Sequence, residues 1–385
     1  MSANTYMYRL RIFSKKGPVQ VDFRDPHNVE GGNPGGKFRY KKYGKTIEPL
    51  AARASAAGKN TRALSKDEIR QLGEALFKTL FDKELRTHFL ERYHKVVHGS
   101  KGNLLRLELE FNEANAPELV ALPWEFMRAP SNNQITGALW LATAPRLILA
   151  RTRGLWLPAD NLALAPDETL KIGVAVADPE GLGKVKYKKL WAELQNLAGE
   201  HDRIELLPLA HPATRDSIDE LLGHKPHIFH FIGHGRLEKS NGREFGEIAI
   251  VREPHLPRWI DAEQFSTFLN RHRPKIVVLQ ACKGAAGASG EAFVSVASQI
   301  VRQNIPAVIA MQYEVSNATA RRFARRFYRR LAEGKPVDEA VQEGRNTISD
   351  FHESLDFSIP VLYMRSRHGQ VFSQPVQTLH EVNEV

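Results

Sequence analysis

Cysteine is almost missing from this chain: Cys282 is the single one among 385 residues. An internal disulfide is therefore impossible, and so is any zinc site that needs two thiolates. No run of about 18 uncharged apolar residues occurs, so no membrane-spanning helix is expected. The opening stretch MSANTYMYRLRIF lacks the small-residue cleavage site of a secretory signal. A reducing, cytoplasmic setting is the expectation. Internal repeats are also absent, and low complexity is confined to one short Gly-rich stretch. No motif asks for a cofactor, so none is expected.

What is present is the ordinary balance of a soluble globular protein, with 42% hydrophobic and 25% charged residues. The formal charge of +10 permits anionic partners without demanding them. Much of the excess lies in GGNPGGKFRYKKYGK (31–45) and in ATARRFARRFYRRLAEG (318–334). In the second segment Arg321, Arg325 and Arg329 form one stripe, Arg322, Arg326 and Arg330 flank it, and Phe323, Phe327 and Leu331 form the apolar side. That spacing describes an amphipathic helix laid on a sheet with a solvated basic face. Nucleic acid is the weaker reading of that face.

Residues 1–60 are basic, Gly-rich and weakly periodic; a strand over 6–13 and a loop through the glycines are expected. Residues 65–97 read as one helix, with Ser65 and Glu68 in capping-box spacing. LLRLELEFN (104–112) alternates like a half-buried strand. After a connecting segment at 154–168 the pattern changes. Short apolar runs at 170–178, 203–210, 227–235, 275–282, 307–312 and 358–366 alternate with helical segments. This predicts a doubly wound, mostly parallel α/β sheet with helices on both faces, preceded by an N-terminal α/β region. The expected division is 1–165 for that N-terminal region, 166–375 for the catalytic-type domain and 376–385 for a polar tail.

In such sheets chemistry collects beyond the carboxyl ends of the strands. HIFHFIGHG brings His234 to a strand end between two glycines, and KIVVLQAC brings Cys282 to another. A thiol there can attack a carbonyl while an imidazole takes its proton and returns one to the leaving amine. A lone cysteine reads first as a small buried hydrophobe. The frame Gln280-Ala281-Cys282-Lys283-Gly284 and a histidine 48 residues upstream reverse that reading. Caspases place their nucleophile in Q-A-C-[RQG]-G with the histidine about 50 residues upstream; only Lys283 departs. Backbone N–H groups of Gly235 and Cys282 are the expected oxyanion donors. No third, orienting side chain is identifiable. His227 and His230 share the strand with His234, but 227 and 230 face opposite sides of an extended chain, so a metal site is not expected.

On these residues the sequence resembles the CHAT family, caspase-related clan CD peptidases that also include separases. LRLELEFNEANAPELVALPWEFM, LATAPRLILAR, PHIFHFIGHG, IVVLQACKGA, AVIAMQYEVSNATARRFARRFYRRLAEGKPVDEAV and IPVLYMR follow the family's order. The resemblance implies a caspase-like fold, His–Cys catalysis and cleavage within an extended segment of a protein substrate. It also implies that an acid after the next strand holds a basic P1 side chain. Glu314 occupies that place, although Glu stands where Asp is more usual and Asn317 where an acid is common. Cleavage after Asp is the runner-up. The N-terminal half is, by the same likeness, a candidate degenerate caspase-like unit. Bacterial relatives serve defence and regulated cell death. With no fused sensor module visible, a regulating protein or signal is expected to act in trans or through oligomerisation. KVKYKK (184–189) and the loop after Cys282 are candidate self-cleavage points. The rival reading is a non-catalytic CHAT-like module that binds an acidic partner or nucleic acid through the arginine stripe.

Overall fold

The computed structural model describes residues 5–26, 34–56, 64–99, 102–112, 115–131, 137–157, 162–240, 243–252, 254–281, 290–349, 354, 356–366 and 369–373. The first part of the chain forms β1 (Thr5–Ile12), β2 (Pro18–Arg24), β3 (Gly35–Lys37), α1 (Tyr40–Ser55), α2 (Lys66–Leu80), α3 (Lys83–His98) and β4 (Leu104–Phe111). Then come α4 (Pro117–Ala121), a 3-10 turn (Trp124–Phe126), the short β5 (Arg128–Ala129) and β6 (Leu139–Trp140), and β7 (Leu147–Leu157). The alternating part runs β8 (Leu170–Val176), α5 (Lys188–Glu200), β9 (Ile204–Leu206), α6 (Arg215–Gly223) and β10 (Ile228–Gly233). An excursion of β11 (Gly235–Ser240), β12 (Arg243–Arg252) and β13 (Leu256–Asp261) precedes α7 (Ala262–His272) and β14 (Ile276–Ala281). The chain continues with α8 (Gly290–Ile300), β15 (Ala307–Met311), α9 (Asn317–Ala332), α10 (Val337–Thr347) and β16 (Pro360–Ser366).

Eleven of these strands make one sheet in the order β3-β2-β1-β4-β7-β16-β15-β14-β10-β8-β9. The run from β9 to β15 is parallel, β16 is antiparallel to β15, and β16, β7, β4 and β1 are again parallel among themselves. The expected α/β class with a mostly parallel sheet and helices on both faces is what the chain adopts. The continuous apolar runs of β8, β10, β14 and β15 follow from burial on both faces. Phe229, Phe231, Val277 and Leu279 pack one way, with Leu221, Phe265, Leu269 and Phe293 of α6, α7 and α8. Ile228, Ile232 and Val278 pack the other way, with Leu190 and Leu194 of α5 and Phe323 and Phe327 of α9.

Two elements differ from the sequence expectation. The helix expected over 65–97 breaks at Phe81. Its start is as read, since the Ser65 hydroxyl and Glu68 carboxylate form the capping box. The Asp82 carboxylate then accepts the Leu85 N–H at 3.0 Å and the Lys37 N–H at 2.8 Å, which starts a second helix and ties it to β3. The basic segment expected to be loop becomes α1 from Tyr40 onward, its buried side chains Ile47, Leu50 and Ala54 giving it a core face.

Candidate active site

β10 and β14 are adjacent and parallel, with Gly233 opposite Ala281 at their carboxyl ends. His234 follows the one and Cys282 the other. Cys282 itself, and with it the expected backbone donor at 282, lies outside the described residues. The described register ends at Gly233 and Ala281, the residues that precede His234 and Cys282 in the chain.

Alternation puts His230, Ile232 and His234 on one side of β10, and their surroundings separate their roles. His230 lies in the core, its Nδ1 2.9 Å from the Tyr328 hydroxyl of α9. Burial pushes its pKa down to about 4, against a smaller opposing contribution from Gln280. It is a neutral packing residue. His227 is engaged elsewhere: its Nδ1 accepts the Lys171 N–H at 3.0 Å and its Nε2 meets Glu168 at 3.0 Å. No group of three side chains able to hold a metal exists among the described residues.

His234 is fully buried. Neither ring nitrogen completes a well-formed hydrogen bond among the described residues, although the Gly183 backbone is near enough to favour the protonated ring. Burial lowers its pKa, and the negative charge of Asp178 opposes that shift. Burial thus favours the neutral imidazole, and the Asp178 carboxylate works against it. Asp178 is the residue that sequence reasoning missed. Its signal was the acid two residues past the end of the buried strand β8, which pairs with β10 up to Val176 and Ile232. One Asp178 carboxylate oxygen accepts the Val185 N–H at 2.8 Å and so shapes the loop over His234. Lys184 and Lys186 are exposed on that loop.

Gly235 opens β11 opposite Ile248. The Ala249 N–H donates to the His234 carbonyl at 3.0 Å. By antiparallel alternation the Gly235–Ile248 pair is then a non-hydrogen-bonded one, and the Gly235 N–H points away from β12. A Cβ at 235 would stand 2.7 Å from the Phe293 ring, so only glycine lets the strand leave His234 this close to α8.

Glu314 is half-buried in the turn between β15 and α9. The neighbouring Val315 N–H reaches the Ala281 carbonyl at 3.4 Å, which holds the Glu314 segment against the end of β14. Two residues earlier, Gln312 Nε2 donates to Glu125 at 3.2 Å. Glu125, from the Leu-Pro-Trp-Glu segment, is itself clamped by Arg151 Nε at 3.0 Å and Nη2 at 2.6 Å. α8 starts tightly against the same turn, because a Cβ on Gly290 would lie 2.2 Å from the Gln312 carbonyl. The N-terminal half therefore braces the segment that carries the candidate specificity acid.

The basic stripe of α9 is largely neutralised in place. Arg325 pairs with Glu193 at 2.6 Å and Glu200 at 2.8 Å, and Arg321 approaches Glu193 at 3.6 Å. Arg326 and Arg330 share Glu343, and Arg329 and Arg330 share Glu333. Arg322 donates to the Thr347 carbonyl.

Residues 70–358 match the model of the CHAT domain family. No curated protein sequence matches the chain. Among solved structures, Saccharomyces cerevisiae separase in complex with securin is similar with a TM-score of 0.48 at 11% identity, over 94% of this chain and 30% of that one. The Arg-specific cysteine proteinase gingipain R is similar with a TM-score of 0.43 at 11% identity, over 87% of this chain and 76% of that one. The complex of pro- and mature domains of Porphyromonas gingivalis RgpB gives 0.40 at 12% identity, over 84% and 76%. The chain thus spans under a third of the separase chain.

Proposed function

This chain belongs to the CHAT domain family, and from that premise we propose that it is a cysteine endopeptidase working through a His234–Cys282 dyad. The observation that carries the reading is the register of β10 and β14, which ends with Gly233 beside Ala281 and leads one strand into His234 and the other into Cys282. In the proposed reaction His234 takes the Cys282 proton as the sulfur attacks the peptide carbonyl. The negative oxygen of the tetrahedral intermediate is met by the backbone N–H groups of Gly235 and Cys282. Collapse expels the amine, which receives the proton from His234, and leaves a thioester. Water, deprotonated by His234, then hydrolyses the thioester and restores the thiol.

In this reading the substrate is a partner protein cut after a basic P1 residue, with Glu314 pairing its guanidinium or ammonium. A protein or signal acting in trans assembles the active state, and the cut serves defence or cell death as in bacterial relatives. The rival, a non-catalytic module binding anions through α9, has little to rest on, because acids of the same chain already engage the arginine stripe.

A positional-scanning peptide library, offered to wild type and Cys282→Ala with candidate activators present, tests the proposal. Wild type is expected to cut after Arg or Lys and Cys282→Ala to fall to background. Cleavage surviving that substitution would remove Cys282 as nucleophile, and no cleavage by wild type under any condition would favour the binding module. Glu314→Gln should lower the preference for basic P1 residues; an unchanged P1 profile would dispose of that assignment.

A further inference from the structure

A cavity of about 340 Å³ lies where α1 and α4 of the N-terminal half meet α8 and the turn after β15. The peptidase reading makes no use of it. Its polar lining is Lys15, Tyr40, Glu48, Glu118, Glu291 and Tyr313, three carboxylates against one ammonium. Two of the acids already have partners. Lys15 Nζ sits 2.6 Å from Glu118, and Glu48 accepts the Tyr40 hydroxyl at 2.9 Å. Glu291, in the first turn of α8, has no ion pair among the described residues.

Tyr313 supplies an independent sign of a ligand. The residue is only 9% exposed, it lines the cavity, and its hydroxyl makes no hydrogen bond among the described residues. The first turn of α8 lies directly against this residue, since a Cβ on Gly290 would stand 2.5 Å from the Tyr313 backbone nitrogen, and Glu291 follows Gly290 on the same cavity wall. The residue is nine-tenths buried while its hydroxyl, without a protein partner among the described residues, is open to one that enters the cavity. An N–H donor entering between it and the unpaired carboxylate would satisfy both.

We propose that this cavity binds an organic cation, an ammonium or guanidinium on a flexible stem, held by Glu291 and the Tyr313 hydroxyl. The volume stands at the low end of the range of about 300–1,000 Å³ typical of small-molecule sites, room for one such chain and little more. Lys15 shows the same recognition within the molecule, an ammonium seated on Glu118 with the Tyr40 ring centroid 5.5 Å away. The cation comes either from a basic side chain of a polypeptide or from a free amine. The site stands apart from the peptidase reading and from Glu314.

The test is calorimetric titration of the full chain carrying Cys282→Ala, which removes turnover, with agmatine, with acetyl-Gly-Arg-Gly-amide and with neutral butylurea. Saturable binding of at least one cation is expected and none of butylurea. Glu291→Gln should weaken binding roughly tenfold, as loss of one charge-assisted contact does, and Tyr313→Phe severalfold. Lys15→Met should tighten it, because the rival cation is gone from Glu118; a variant that merely folds poorly cannot bind more tightly. Tighter binding of the peptide assigns the site to a protein side chain, and tighter binding of agmatine assigns it to a free amine. The proposal is overturned if neither cation saturates, if butylurea binds equally, or if Glu291→Gln and Lys15→Met leave affinity unchanged. It is also overturned if Glu314→Gln abolishes binding, which would make the cavity part of the P1 pocket.

Discussion

Two histidines four residues apart on one side of β10 do different things because their neighbours differ. His230 is sealed under α9 with the Tyr328 hydroxyl, and its pKa falls to about 4. Between the ordinary value near 6.5 and about 4 the unfolded chain binds a proton that the folded chain refuses, so stability rises with pH across that window. The lowering corresponds to about 3 kcal/mol. Urea midpoints at pH 4.5 and 7.0 should therefore differ more for wild type than for His230→Gln; parallel pH dependences would contradict the buried neutral state. His234 is lowered by burial and pulled back by Asp178. In the proposed dyad the acid limb of kcat/KM then falls below the ordinary histidine range. Asp178→Asn removes the charge that raises the His234 pKa and should move that limb to still lower pH. His234→Ala should cost about 10²–10⁴ in kcat/KM, the range of general acid–base contributions. An acid limb that stays put in Asp178→Asn would show that the carboxylate does not act through the ring.

At the scale of elements, sequence patterns were legible where local chemistry decides them. The Ser65–Glu68 capping box and the continuous apolar strands are local facts, and the structure has both. The break between α2 and α3 was not legible, because the periodicity of 65–97 continues through it and the deciding group, Asp82, also binds a backbone N–H 45 residues away. Asp82→Ala loses the cap on Leu85 and the tie to Lys37, and should cost about 1–2 kcal/mol in denaturant unfolding. A cost near zero would mean that the helix break is set by packing alone. The arginines of α9 teach the same lesson about charge. Their spacing marks a polar face, but only the placement of Glu193, Glu200 and Glu343 on neighbouring helices shows that the face is already engaged.

Across the whole molecule one sheet passes through both halves, joined where β7 lies beside β16. The join is reinforced by buried charge: Arg106 of β4 pairs with Asp338 of α10, both out of solvent, and Glu108 lies between Arg106 and Arg9 at 3.7 and 2.8 Å. Removing one partner of such a pair strands the other charge. Asp338→Ala is expected to destabilise the chain by about 3–5 kcal/mol, whereas Arg106→Met combined with Asp338→Leu should recover much of the loss. Equal losses in the single and double variants would show that the pair itself is not the cause. The same coupling reaches the segment of the proposed specificity acid, because the Glu125–Arg151 pair of the N-terminal half holds Gln312, two residues before Glu314.

The linear sequence by itself determined the class of the fold and the candidate dyad. Apolar runs, their spacing and the Gln-Ala-Cys-Lys-Gly frame are properties of neighbouring residues, and a histidine at a strand end is visible as such. Tertiary structure alone decided what lies beside those residues. It brought Asp178 toward His234, buried His230 under Tyr328, set Glu125 on Gln312, engaged the α9 arginines, and placed Glu291 and Tyr313 in the wall of one cavity. Each of these depends on which strands become neighbours and which helices cover them. Such contacts join residues far apart in the chain, where no local period or motif records them.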